Sequence, residues 1–142
     1  MRPFEYANPT TTDEAIRLLA DEKAVALAGG TDLVSLMKDD IIRPSRLVNL
    51  RSIAELAGVD WRDAEGLRIG AMATLEDLVG NPEVVSRYPS LIQAVDGIRS
   101  PQLRAMGTVG GELVQRPRCW YYRSGFGLLA MSEGRSLVVD GD

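Results

Sequence analysis

Histidine is absent from the 142-residue chain. That removes the commonest general base, the commonest metal ligand and every triad built on an imidazole. There is one cysteine, Cys119. It can form no internal disulfide and, alone, no thiolate metal site. No apolar run approaches the ~20 residues that a membrane-spanning helix needs. Met1-Arg2-Pro3-Phe4-Glu5 carries no apolar signal core, so the expected compartment is the cytoplasm. A formal net charge of −4 argues against general nucleic-acid binding.

What is present is an ordinary globular composition, with 45% apolar and 25% charged residues. The length suits one ordinary domain, or two very small ones sharing a core. Charge is unevenly spread. Arg99, Arg104, Arg116, Arg118 and Arg123 fall in a stretch whose one acid is Glu112, while the rest holds eleven bases and nineteen acids. Such a basic segment suits an anionic ligand or an acidic partner, and equally a solvated face.

Residues 1 to about 50 read strand, helix, strand, helix, strand. Phe4-Glu5-Tyr6 is a short strand. Thr11-Thr12-Asp13-Glu14 fits a capping box with Thr11 as N-cap, opening a helix to about Ala20 that buries Ala15, Ile16, Leu18 and Leu19. Ala24–Ala28 reads as a buried strand. A helix carrying Leu33, Val34, Leu36 and Met37 follows, and Arg46–Leu50 is another strand. This alternation predicts a small parallel sheet with crossover helices. Ser52–Leu56 suits one helical turn, and Gly58 breaks it.

The second half differs. Leu67, Ile69 and Ala71 alternate with Arg68 and Gly70, as in a half-buried strand. Thr74 caps a short helix with Leu75, Leu78 and Val79. Pro89 opens another, with Leu91, Ile92, Val95 and Ile98 inward, and Pro101 stops it. Leu137–Asp142 resembles a strand running into an Asp-Gly hairpin turn. The sequence ends inside that turn, so a fragment of a longer protein is expected. The fold class expected is α+β, with a βαβαβ parallel subdomain over residues 1–57 and a mainly antiparallel subdomain with helices over 58–142.

Two glycine-rich turns stand out. Leu27-Ala28-Gly29-Gly30-Thr31-Asp32-Leu33 links a strand to a helix. Its glycines admit positive φ and close approach of a ligand, and successive N–H groups make a concave nest for an anion. Asp32 is expected to cap the helix rather than meet phosphate. The second turn is Gly107-Thr108-Val109-Gly110-Gly111. Each turn alone fits either phosphate binding or a tight connection. Neither is a P-loop, which needs Gly-Lys-Ser/Thr, nor the dinucleotide fingerprint with its third glycine and later acid.

Taken together, Ala28–Leu33, Ile69-Gly70-Ala71-Met72-Ala73-Thr74-Leu75, Ser100-Pro101-Gln102-Leu103-Arg104, Thr108–Gly111 and Gln115–Arg123 resemble the flavin-binding medium subunit of the molybdenum hydroxylases. This is the xanthine and aldehyde dehydrogenase group, and Gln115–Arg123 resembles its bacterial aldehyde-oxidoreductase branch. The resemblance implies two subdomains clasping FAD, with the pyrophosphate on Ala28–Leu33 and on Thr108, Val109, Gly110 and Gly111. Leu27 flanks the first turn and Ser100 lies near the flavin. It also implies a large molybdenum-cofactor subunit and a small iron–sulfur subunit as partners, with electrons leaving through FAD to an external acceptor. No catalytic side chain is then expected.

Three departures stand against the family pattern. Glu112 follows the second glycine pair where the family usually has Asn or Ser; a carboxylate beside the pyrophosphate is expected to weaken binding unless it points away or meets Arg116. Cys119 resembles the first ligand of a cluster found in some relatives, but the remaining ligands are missing, so no cluster is expected and the thiol reads as a small buried hydrophobe. The family's further domain, which helps cover the flavin, is expected to be missing from this chain. An alternative follows: a truncated module that holds no FAD and serves in docking or assembly, with self-association through exposed apolar surface. An oxidase of the wider superfamily, with flavin attached through His or Cys, is disfavoured by the lack of histidine. Trp120, Tyr121 and Tyr122 fit core filling, ring stacking or partner contact.

Overall fold

The computed structural model describes residues 1–127, 129 and 131–137. The strand and Asp-Gly turn expected at the end fall mostly on 138–142, outside the described residues.

The first three strands are β1 (Glu5–Ala7), β2 (Ala24–Leu27) and β3 (Arg46–Asn49), in a parallel sheet of order β1-β3-β2. Helices α1 (Thr12–Leu19) and α2 (Leu33–Lys38) make the crossovers. Thr11 caps α1 by accepting a hydrogen bond from the Glu14 N–H at 3.2 Å. The return bond is displaced by one residue: Glu14 accepts from the N–H of Thr10 rather than Thr11. Ala15 is buried and Leu18 and Leu19 pack beside it, but Ile16 is 66% exposed. The correction follows from helical spacing. Positions 15, 18 and 19 form one stripe, and Ile16 sits a step of about 100° off it.

Ordering decides burial in the sheet. Central β3 is covered on both faces, with Val48 fully buried. β2 is an edge strand and is only half-buried, not a buried strand as expected, because Ala26 is exposed. The core here joins Ala15, Val48 and Ile53. Ile53 lies just before a 3-10 turn at Ala54–Leu56.

Beyond Gly58, β4 (Val59–Arg62) and β5 (Gly66–Ile69) form an antiparallel hairpin. β4 has no counterpart in the sequence reading; its four residues carry two charges and one Trp, too short a pattern to stand out. Five short helices follow: α3 (Leu75–Val79), α4 (Pro82–Arg87), α5 (Pro89–Asp96), α6 (Pro101–Met106) and α7 (Val109–Leu113). α4, α5 and α6 each begin on proline, where the missing N–H costs nothing. Pro101 therefore opens a helix as well as following one. α4 is also absent from the sequence reading, although Asn81 caps it by accepting from Glu83 and Val84. Thr74 and Asp77 complete a reciprocal capping box on α3. Leu75, Leu78, Val84 and Val95 form the second core, which Leu67, Ile69, Leu91, Ile92 and Ile98 border.

A two-stranded hairpin, β6 (Met131–Ser132) and β7 (Arg135–Ser136), turns on Glu133 (φ 49°) and Gly134 (φ 78°). Positive φ at both central residues is the twist-compatible choice for so short a turn. The described residues thus combine a parallel sheet, antiparallel pairs and helices, the α+β class expected.

Candidate functional site

The first glycine turn leaves the C-terminal end of edge strand β2. Leu27 closes the ladder by accepting from the Leu50 N–H at 2.9 Å. Gly30 then takes φ 75°, which glycine adopts without strain. Gly29 is glycine for another reason. A Cβ there would lie 1.7 Å from the Met106 carbonyl oxygen, so the turn is pressed against the end of α6. The Gly30 and Asp32 carbonyls accept from Val34 and Leu36 to start α2. No described hydrogen bond takes the N–H groups of Gly29, Gly30, Thr31, Asp32 or Leu33.

Asp32 does not cap α2 through its side chain. Its own φ of −102° and ψ of −49° are helical, whereas side-chain capping needs an extended residue. The carboxylate instead pairs with Arg118 at 3.1 Å.

The second turn is the N-terminus of α7. Thr108 is extended, 2% exposed, and accepts from the Gly111 N–H at 3.2 Å. The Val109 N–H donates to Ala73 at 2.9 Å and the Gly110 N–H to Ala71 at 2.8 Å. Thr74 and Thr108 form an antiparallel bridge. A Cβ at Gly110 would lie 2.8 Å from the Ala71 oxygen. This turn therefore spends its N–H groups docking α7 onto residues 71–74. The two turns are not equivalent: the first offers free donors, while the second offers a hydroxyl and a close backbone surface.

Between them lies a cleft of about 450 Å³. Ala28–Leu33, Thr108, Gly110 and Gly111 all line it. Leu27, Val109 and Ser100 do not. Leu27 ends the strand, Val109 packs toward the second core, and Ser100 caps α6 by accepting from Leu103 at 3.3 Å. Val25, Ala26, Leu36, Ile42 and Leu50 give one apolar wall; Ala71, Met72, Val114, Gln115 and Arg116 stand on other sides. Of these, Ala71, Met72, Gln115 and Arg116 belong to segments that the sequence singled out by resemblance, and Ala71 and Arg116 also stood out in the strand alternation and the basic stretch. The remaining wall residues carried no signal, since an apolar cleft lining reads like any core face.

Glu112 lines the same cleft, and no ion pair joins it to Arg116 among the described residues. Its Oε1 lies toward Gly107, 3.5 Å from where a Cβ would stand there. Cys119 is exposed rather than buried. Trp120 is 77% exposed, so it fills no core. Tyr121 meets Phe126 edge-on at 6.5 Å between ring centroids.

A run of free N–H donors at a strand-to-helix turn, beside an apolar wall, suits a ligand with both phosphate and a flat apolar part. The position, at the C-terminal ends of parallel strands, is where α/β folds generally hold ligands. The residues present thus fit a dinucleotide such as FAD, and the fold and cleft define a ligand-binding α+β module.

Comparison with known proteins makes that assignment specific. Residues 2–121 match the family described as the FAD binding domain in molybdopterin dehydrogenase, and the chain belongs to that family. It is 38% identical over 112 residues to the carbon monoxide dehydrogenase medium chain of Hydrogenophaga pseudoflava, covering 78% of this chain and 39% of that one. It is 37% identical over 125 residues to the aldehyde oxidoreductase FAD-binding subunit PaoB of Escherichia coli K12, covering 86% and 38%. Among solved structures, quinoline 2-oxidoreductase from Pseudomonas putida 86 superposes with a TM-score of 0.74 at 34% identity, over 79% of this chain and 39% of that one. The chain thus spans about two-fifths of the length of these relatives.

Proposed function

We propose that this chain holds FAD as the flavin-binding part of a molybdenum hydroxylase medium subunit. The observation that carries this is the set of N–H groups from Gly29 to Leu33 with no described hydrogen bond, in a turn that lines one cleft together with Thr108, Gly110 and Gly111, in a chain of this family. Residues 1–57 and 58–142 are the two halves of the clasp. Ala28–Leu33 bind the pyrophosphate through backbone N–H groups and the Thr31 hydroxyl. Thr108 adds a hydroxyl from the opposite side, and Gly110 and Gly111 let the ligand approach the backbone. Leu27, Val109 and Ser100 act behind this layer by fixing strand, core and α6. The apolar wall of Val25, Ala26, Leu36, Ile42 and Leu50 excludes water from the ligand's apolar face.

Bound FAD would supply the redox chemistry, taking electrons that originate at molybdenum and reach it through iron–sulfur clusters, and passing them to an external acceptor. The partners are accordingly a large molybdenum-cofactor subunit and a small iron–sulfur subunit. The protein's own work is binding, orientation and exclusion of water.

Titrating FAD into the 142-residue chain while following flavin fluorescence tests the reading. Saturable binding is expected. No change up to about millimolar FAD refutes it, since the affinity is then weaker than about 4 kcal/mol.

A further inference from the structure

The first turn presents its phosphate-facing donors with a carboxylate in their midst. Asp32 lines the cleft and its side chain is 23% exposed. Glu112 lines the opposite side, and the cleft's own lining supplies one cation against these two acids, Arg116. Without help, the lining of an anion site carries a net negative charge. The correction comes from outside the lining. Arg118 Nη2 lies 3.1 Å from Asp32 Oδ1. Among the described ion pairs, this alone ties residues 116–136 to the rest of the chain. Val114, Gln115 and Arg116, just before Arg118 in the chain, line the cleft.

We propose that Arg118 is a positioning residue for the anionic cofactor: by pairing with Asp32 it removes the turn's repulsive charge and holds segment 114–118 over the cleft. The inference rests on the FAD reading above. Arg118 acts on Asp32 and does not itself touch phosphate. That distinction gives the proposal a sharp consequence: loss of Arg118 matters only while Asp32 is a carboxylate.

The test measures FAD dissociation constants by flavin fluorescence for the full chain, Arg118→Ala, Asp32→Asn and the double variant. Arg118→Ala is expected to weaken FAD about tenfold, about 1.4 kcal/mol, by leaving a bare carboxylate against the pyrophosphate. Asp32→Asn alone keeps the backbone N–H and removes the carboxylate, so it is expected to bind FAD at least as tightly as the native chain. The double variant is expected to recover to within about threefold of native, and the Arg118→Ala defect to shrink in high salt. Arg118→Ala without effect, or a double variant as weak as the single one, overturns the proposal; the latter makes Arg118 a phosphate ligand instead.

A second measurement needs no flavin. Limited trypsin digestion of the flavin-free chain reports access to the Arg118–Cys119 bond. Cleavage is expected to be several-fold faster in Asp32→Asn, which frees the guanidinium. Equal rates overturn the latch even if FAD binds. A native chain that binds no FAD overturns the function proposed above, while the digestion still decides on the latch.

Discussion

Replacing Gly29 by alanine probes the seam on which the whole site depends. The added methyl would stand 1.7 Å from the Met106 carbonyl oxygen and 2.7 Å from its carbon. To reach even a tight contact, the turn and α6 must part by more than about 1 Å, well beyond what a close-packed seam absorbs. Neither side yields easily. Beside Met106, the Gly107 N–H donates to Leu103 at 2.6 Å and its carbonyl accepts from Leu75 at 3.0 Å. On the other side, Leu27 is held by Leu50. The obstruction is backbone, so no rotamer change relieves it. The cost belongs at the upper end for overpacking, about 3 kcal/mol. For a chain of this size that lowers the melting temperature by about 10 °C. Thermal unfolding followed by circular dichroism on the flavin-free protein measures it. Gly30→Ala is the control: its penalty comes from the positive φ and is about 1–2 kcal/mol. A Gly29→Ala melting temperature within about 2 °C of native would refute the packing argument.

Other outcomes are expected on the same grounds. Ile53→Ala, at a 1% exposed core position, should lose about 2–5 kcal/mol in urea unfolding. Thr74→Ala removes the hydroxyl that accepts from Asp77 at 3.1 Å and should cost about 1 kcal/mol. Glu83→Gln breaks a 2.6 Å pair with Arg87 in which both side chains are about half exposed; it should change stability by no more than about 0.5 kcal/mol. A larger loss there would mean that Arg87, stacked 4.3 Å over Trp61, depends on Glu83 for its position.

What the sequence made legible follows from how local each signal is. Caps at Thr11 and Thr74 and the proline at 89 mark helix starts through bonds made within three or four residues, and those helices are present, whereas Pro101, read only as a stop, also opens α6. The parallel sheet was readable because strand and helix periods alternate. Burial was less so. β2 reads as apolar throughout, yet Ala26 faces the cleft, because strand order puts it at an edge. The same limit applies at the site. Gly29 and Gly30 look alike in sequence. One is required by an α6 carbonyl some seventy-five residues away, the other by its own φ. Asp32 reads as a cap by residue type, but backbone geometry and distant Arg118 assign it otherwise. Nothing within a few residues of Asp32 encodes that pairing.

The central claim is that the two glycine turns hold one FAD pyrophosphate between them. Amide resonances followed by two-dimensional NMR during titration with FAD test it residue by residue. The account predicts the largest shifts at Gly29–Leu33, with smaller ones at Thr108, Gly110 and Gly111, and none along the β4–β5 hairpin. Saturable shifts confined to residues away from the first turn, such as the depression beside Val59 and Asn81, would contradict it.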